Sequence, residues 1–259
     1  MSDASSPIGM FDSGAGGLAV LAEVQRLLPG EGVVYFADTA YFPYGPRPAA
    51  EIRARAEAVT RELLTHDAKL IVVACNTATS AAIAHLRATF DVPIVGMEPA
   101  LKPAAERTLS GKIALLVTPG TARGQKLAAL IDRYGAEVSV RTIEAPGLAE
   151  RVEAGEAGSE ATRDLLDRYL APVRASGADV LVLGCTHYAF LREAIERELG
   201  DGVAVIEPSE AIARQVKRVL SDRRLRNPRA DGGSVLYLCS GDDASFARLR
   251  EALAAKECV

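Results

Sequence analysis

Short, almost wholly apolar runs alternate along the chain with longer stretches in which apolar residues recur every three to four positions. This is the pattern of buried parallel strands joined by amphipathic helices, an α/β fold class. The runs predict strands near Ile8–Asp12, Val33–Ala37, Leu70–Ala74, Pro93–Gly96, Ile113–Val117, Val138–Ile143, Val180–Gly184, Val203–Ile206 and Val235–Cys239. Helices are expected between them, at roughly 17–28, 48–66, 78–89, 121–134, 159–176, 189–199, 209–222 and 244–256. The stretch 48–66 carries the clearest stripe, Ile52, Ala56, Val59 and Leu63. Its leading Pro48 suits a first helical position, where no N–H partner is needed. The polar, basic segment Ser221–Arg229 reads as a solvated loop before the last strand.

The order of elements repeats. The first half runs strand, Asp12-Ser13-Gly14, helix, strand, Ala37-Asp38-Thr39, a Pro/Tyr/Gly loop, helix, then a strand entering Cys75-Asn76-Thr77. From residue 113 the sequence runs strand, Thr118-Pro119-Gly120-Thr121, helix, strand, Glu144-Ala145-Pro146-Gly147, helix, then a strand entering Cys185-Thr186. A repeat of this length, ~110 residues, predicts two pseudo-symmetric α/β halves with mainly parallel sheets facing each other. Ligands of parallel sheets bind outside the carboxyl ends of the strands, where each of these cysteines falls.

Composition narrows the function classes. The 259 residues are 49% hydrophobic and 25% charged, with a net charge of −4. This length allows one or two domains and needs no disulfide or metal staples. The acidic balance excludes a general nucleic-acid binder, which needs basic surface to neutralise phosphates. No apolar run reaches the ~20 residues of a membrane span. The opening Met1-Ser2-Asp3-Ala4-Ser5-Ser6-Pro7 has neither a basic region nor an apolar core, so a cytoplasmic protein is expected. Its four cysteines, Cys75, Cys185, Cys239 and Cys258, are then expected as free thiols.

Three segments carry the candidate chemistry. Gly14, Gly16 and Ala19 satisfy a loose dinucleotide fingerprint, and Asp38 lies where a ribose-binding acid is expected. Against that reading, Asp12 opens the loop and would repel a pyrophosphate. An acid followed by Ser13 suits a ligand ammonium better, while the glycines bring backbone N–H groups close to a carboxylate. Cys75, at the end of a buried strand and the start of a helix, is expected to feel the helix dipole and to have a lowered pKa, with Asn76 and Thr77 as uncharged donors beside it. Cys185, followed by Thr186 and His187, repeats that construction in the second half. A lone Cys-x-His is not a metal pattern, and none is expected.

Two thiols on opposite faces of one small ligand suit the inversion of a stereocentre. One thiolate removes a proton and the opposing thiol delivers one, the roles exchanging for the reverse reaction. A pyridoxal enzyme would need a Schiff-base lysine, and none stands at these strand ends. A non-catalytic amino-acid binding module is the reading from another class; it has no need of paired thiols.

The segments FDSGAGGLAVL at 11–21, ADTAYFPYG at 37–45, ACNTAT at 74–79 and LGCTHY at 183–188 resemble the aspartate/glutamate racemase family. Thr79 and His187 resemble its glutamate branch, with aspartate as the alternative substrate. The resemblance implies cofactor-independent interconversion of L- and D-glutamate, supplying D-glutamate for peptidoglycan, with Cys75 and Cys185 as the acid/base pair. It implies substrate contacts from Asp12, Ser13, Tyr44, Gly45, Asn76, Thr77, Thr121, Thr186 and His187. Asp12, His187 and Glu153 are implied to assist the thiols. It further implies a site between two domains, 1–97 with 207–259 and 98–206, and a homodimer without nucleic-acid or membrane partners. Ala189 replaces the proline usual after His-Tyr, and Pro46-Arg47-Pro48 is an unusually prolyl form of the Tyr-Gly loop.

Overall fold

The computed structural model describes residues 3–134 and 138–256, so Cys258 lies outside the described residues. Its strands are β1 (Ile8–Asp12), β2 (Val33–Ala37), β3 (Leu70–Val73), β4 (Ile94–Gly96), β5 (Lys112–Val117), β6 (Ser139–Glu144), β7 (Val180–Gly184), β8 (Ala204–Ile206) and β9 (Val235–Cys239). Two all-parallel sheets result, in the orders β4-β3-β1-β2-β9 and β6-β5-β7-β8. Residues of β1, β2, β3 and β7 are buried throughout, which is why these runs read as continuous apolar blocks: helices cover both faces. The edge strand β6 buries only Ile143, and its sequence is correspondingly polar.

The helices are α1 (Leu18–Leu27), α2 (Ala49–Thr65), α3 (Asn76–Thr89), α4 (Leu101–Arg107), α5 (Pro119–Ala122), α6 (Gln125–Tyr134), α7 (Leu148–Glu153), α8 (Glu160–Ser176), α9 (Arg192–Leu199), α10 (Ser209–Asp222) and α11 (Asp243–Lys256). The expected stripe of α2 is buried as Ile52, Ala56, Val59 and Leu63. Two expectations need correction, and one helix was not expected. The helix expected over 121–134 is two helices broken at Gly124, and the Thr118 hydroxyl caps the first by accepting the Thr121 N–H at 3.3 Å. The stretch expected to begin a helix at 189 instead opens with a 3-10 turn, Thr186–Leu191, before α9. Helix α4 falls in a segment where the apolar pattern is too short to register.

The connectivity brings the chain back on itself. After β8 closes the second sheet, α10 packs along α1 and β9 pairs with β2 of the first. The register sets the strand ends level: Asp12 lies opposite Ala37, and Val117 opposite both Gly184 and Glu144. The loops that follow those ends, one set per sheet, confront each other.

Candidate active site

Asp12 ends β1 and is fully buried. Its Oδ1 accepts the Gly14 N–H at 2.8 Å and the Ser13 hydroxyl at 3.3 Å. Its Oδ2 accepts the Thr186 hydroxyl, from the second sheet, at 2.9 Å. Ser13 Oγ in turn accepts from the Cys75 thiol at 3.8 Å. One acid thus connects Cys75, through Ser13, to the turn after Cys185.

The two cysteines occupy matching strand ends but differ locally. Cys75 caps α3, its sulfur accepting the Ala78 N–H at 3.5 Å. Cys185 precedes a 3-10 turn and makes no such cap; its sulfur lies 3.9 Å from His187 Nδ1. Both are buried. The expected lowering of the Cys75 pKa is overturned: burial pushes the thiol well up, and the nearby Asp12 carboxylate adds to this. The Ala78 N–H opposes the rise but is outweighed, because desolvating a thiolate costs more than one long N–H···S contact returns.

His187 is buried, and its Nε2 lies 2.7 Å from Glu153 Oε2. Burial alone would favour the neutral ring, yet contacts with Cys185 and Glu153 hold its pKa well above the usual histidine value. Glu153, at the end of α7, also accepts the Ala15 N–H at 3.0 Å. Burial likewise raises Asp12 to about 6, with His187 opposing the rise.

The glycines of the first loop have a packing reason. A Cβ on Gly14 would meet the Glu153 carboxylate at 2.6 Å, and one on Gly16 would meet His187 Nδ1 at 2.4 Å. The same packing excludes the dinucleotide reading of this loop. Glu153 takes the Ala15 N–H in the loop before α1, and Asp38 is held bidentate by Arg55 at 2.6 and 2.7 Å. Asp38 also accepts the Tyr44 hydroxyl, fixing that phenol in the buried loop. Arg55 gave no sequence signal, being one arginine among several on an exposed helix face; the strand-end position of Asp38 was the only clue to the pair.

The remaining candidates fall beside these. Thr77 Oγ1 lies 2.9 Å from Thr118 Oγ1 and 3.2 Å from Thr121 Oγ1, so hydroxyls of both sheets' loops meet. Gly45 meets the second half through its carbonyl, which accepts from Arg123 at 3.1 Å. Asn76 is 4% exposed, and neither its side-chain oxygen nor its nitrogen has a partner among the described residues. An orphaned amide costs on the order of 1–3 kcal/mol and is the kind of group a ligand repairs. Among the described residues no cluster of three or more His, Cys, Asp or Glu could hold a metal, and no helix is long and apolar enough to cross a membrane.

Fold and site define the class: an α/β protein of two parallel-sheet domains with thiols, a buried acid and an imidazole gathered where their loops meet. The model of the Asp/Glu/Hydantoin racemase family matches residues 8–216, and the chain belongs to that family. It is 48% identical over 247 residues to glutamate racemase of Herpetosiphon aurantiacus, covering 95% of this chain and 97% of the relative. Among solved structures it is similar to the glutamate racemase isoform RacE1 of Bacillus anthracis, with a TM-score of 0.90 and 30% identity over 96% of this chain and 94% of that one. It is also similar to Escherichia coli glutamate racemase in complex with L-glutamate and the activator UDP-MurNAc-Ala, with a TM-score of 0.85 and 34% identity over 96% of this chain and 95% of that one.

Proposed function

We propose that the chain interconverts L- and D-glutamate by proton transfer at Cα between Cys75 and Cys185, supplying D-glutamate for peptidoglycan. The observation that carries this reading is the pair of buried thiols at equivalent strand ends, joined through Ser13, Asp12 and Thr186. In one direction a thiolate on one side of the bound amino acid takes the Cα proton, and the thiol on the other side gives its own to the opposite face. The pair ends with its protonation exchanged, ready for the reverse direction. Glutamate named by the relatives favours that substrate, and the Asn76 amide supplies a donor and an acceptor for it.

Asp12, Ser13, Tyr44, Gly45, Asn76, Thr77, Thr121, Thr186 and His187 hold the substrate in this reading. Fixed hydroxyls and N–H groups around its carboxylate stabilise the carbanion in a site from which water is excluded. Ionising Cys75 is unfavourable while it is buried beside Asp12. A substrate ammonium between the two anions would reverse that balance, so the base forms as the substrate binds. The Ser13 hydroxyl offers a route for the thiol proton to Asp12. On the other side His187, kept protonated with Glu153, returns protons to Cys185.

The division into residues 1–97 with 207–259 and residues 98–206 belongs to this proposal; the pairing of β9 with β2 supports it. So does a cytoplasmic location, where both thiols stay reduced. A homodimer rests on the family resemblance alone, and sedimentation equilibrium tests it.

The decisive experiment incubates the protein with L-glutamate in heavy water without added cofactor, following optical rotation and deuterium at Cα. Loss of rotation with label at Cα is expected, and Cys75→Ala and Cys185→Ala should each abolish the loss of rotation. Full racemisation by either variant would refute the two-thiol assignment. Faster turnover of aspartate than of glutamate would reassign the substrate.

A further inference from the structure

Beside the candidate site lies a cavity of about 480 Å³ lined from both halves of the molecule. Arg47 and Arg53 reach it from the start of α2 and the loop before it, Thr77 and Ser80 from α3, and Arg123 and Gln125 from the junction of α5 and α6. Three arginines therefore line one space. Arg47 is paired with Glu51 four residues on. Arg123 donates to the Gly45 carbonyl, a neutral partner that leaves its charge uncompensated. Arg53 is exposed and makes no ion pair or side-chain hydrogen bond among the described residues. Ser80 Oγ is buried and likewise unpartnered.

The cavity adjoins the chemistry through Thr77, which lines it and whose hydroxyl meets Thr118 and Thr121 of the opposite half. The Gly45 loop and the Thr118–Arg123 segment, which face each other beside it, are joined by the Arg123 contact.

We infer that this cavity is the entrance through which the substrate reaches the thiols, and that Arg53 and Arg123 capture its carboxylates on the way. The inference rests on the proposed glutamate reading and adds the path and the recognising charges. A cleft lined by one sign of charge concentrates the opposite ion, here a substrate bearing two carboxylates and one ammonium. Such a field decays over ~10 Å at 0.1 M salt, so it acts on a ligand within the cavity. Arg53 acts on capture and not on the reacting carbon.

The test measures kcat and KM for both enantiomers of glutamate with the wild-type protein and Arg53→Gln, Arg53→Glu and Arg53→Lys, at low and high ionic strength. Arg53→Gln should raise KM about three- to tenfold at low salt with kcat unchanged, and Arg53→Glu more. Arg53→Lys should stay within about twofold of wild type, and all four should converge at high salt as the field is screened. Wild-type KM and salt dependence in Arg53→Gln and Arg53→Glu would overturn the inference. So would a loss confined to kcat, or an equal loss in Arg53→Lys. A wild-type protein without glutamate racemisation would instead remove the functional reading beneath it, so the two failures are told apart.

Discussion

Glu153 Oε2 lies 2.7 Å from His187 Nε2 and 3.0 Å from the Ala15 N–H, so one carboxylate from α7 orients the imidazole beside Cys185 and fastens the glycine loop of the first sheet. Charge control and the meeting of the two halves are therefore a single contact. The loop can approach so closely because it carries no side chain at Gly14 or Gly16.

Glu153→Gln should separate the electrostatic part of that contact from its shape. The amide keeps the size but no longer favours the imidazolium, so the raised pKa of His187 should fall. We expect kcat to drop about 10- to 100-fold in the direction in which Cys185 donates its proton. The alkaline limb of that pH profile should move to lower pH. An alkaline limb that stays in place would show that Glu153 does not control His187.

Asp12 carries a stability cost that its replacement should reveal. Its folded-state pKa, about 6, lies above the ordinary value of 3.8 because of burial, so folding favours the protonated acid. That contribution is fully present below pH ~4 and is lost as pH rises through ~6. Asp12→Asn should therefore be more stable than wild type at pH 7 by on the order of 2–3 kcal/mol, and show no such gain near pH 4. Racemisation should fall at least tenfold at both pH values. Urea unfolding at the two pH values, beside polarimetric assays, checks both halves of the prediction.

Gly16→Ala should damage activity far more than folding. Its added methyl would lie 2.4 Å from His187 Nδ1 and 2.5 Å from Thr186 Oγ1, both from the opposite half. The halves can fold and then fail to meet. Racemisation should fall about 100-fold, the effect of misplacing reacting groups by roughly 1 Å, while the melting temperature moves by only a few degrees. A large melting shift with proportionate activity loss would place the strain within the first half instead.

Arg55→Met should be destabilising at neutral pH. It leaves Asp38, which is fully buried, without its bidentate partner. Because Arg55 is itself 21% exposed, the cost is expected at about 2–3 kcal/mol, below the range for a wholly buried pair. Chemical denaturation reads this directly, and a rise in KM should accompany it, since the Tyr44 hydroxyl loses a fixed acceptor.

The strands and the two cysteine motifs were legible because both depend on local pattern. Strands buried on both faces need unbroken apolar runs, and a parallel strand must end in a loop at the carboxyl edge. The break of the 121–134 stretch at Gly124 had a local signal in the glycine itself, but the packing that requires a glycine there is remote. A Cβ at that position would meet Ser80 Oγ of the other half at 1.9 Å. Glu153 was marked by the family resemblance and not by its local pattern, which is that of a solvated helix glutamate; the approach of α7 to the glycine loop makes it a partner of His187.

The sequence by itself determined the alternation of strand and helix, the internal repeat, and the placing of Cys75 and Cys185 at equivalent strand ends, since each follows from residue order and periodicity. Tertiary structure alone decided the protonation chemistry. The rise in Cys75, the imidazolium at His187 and the high pKa of Asp12 come from burial and from groups that folding brings together, Asp12 beside Cys75 and Glu153 beside His187, quantities that no local pattern encodes.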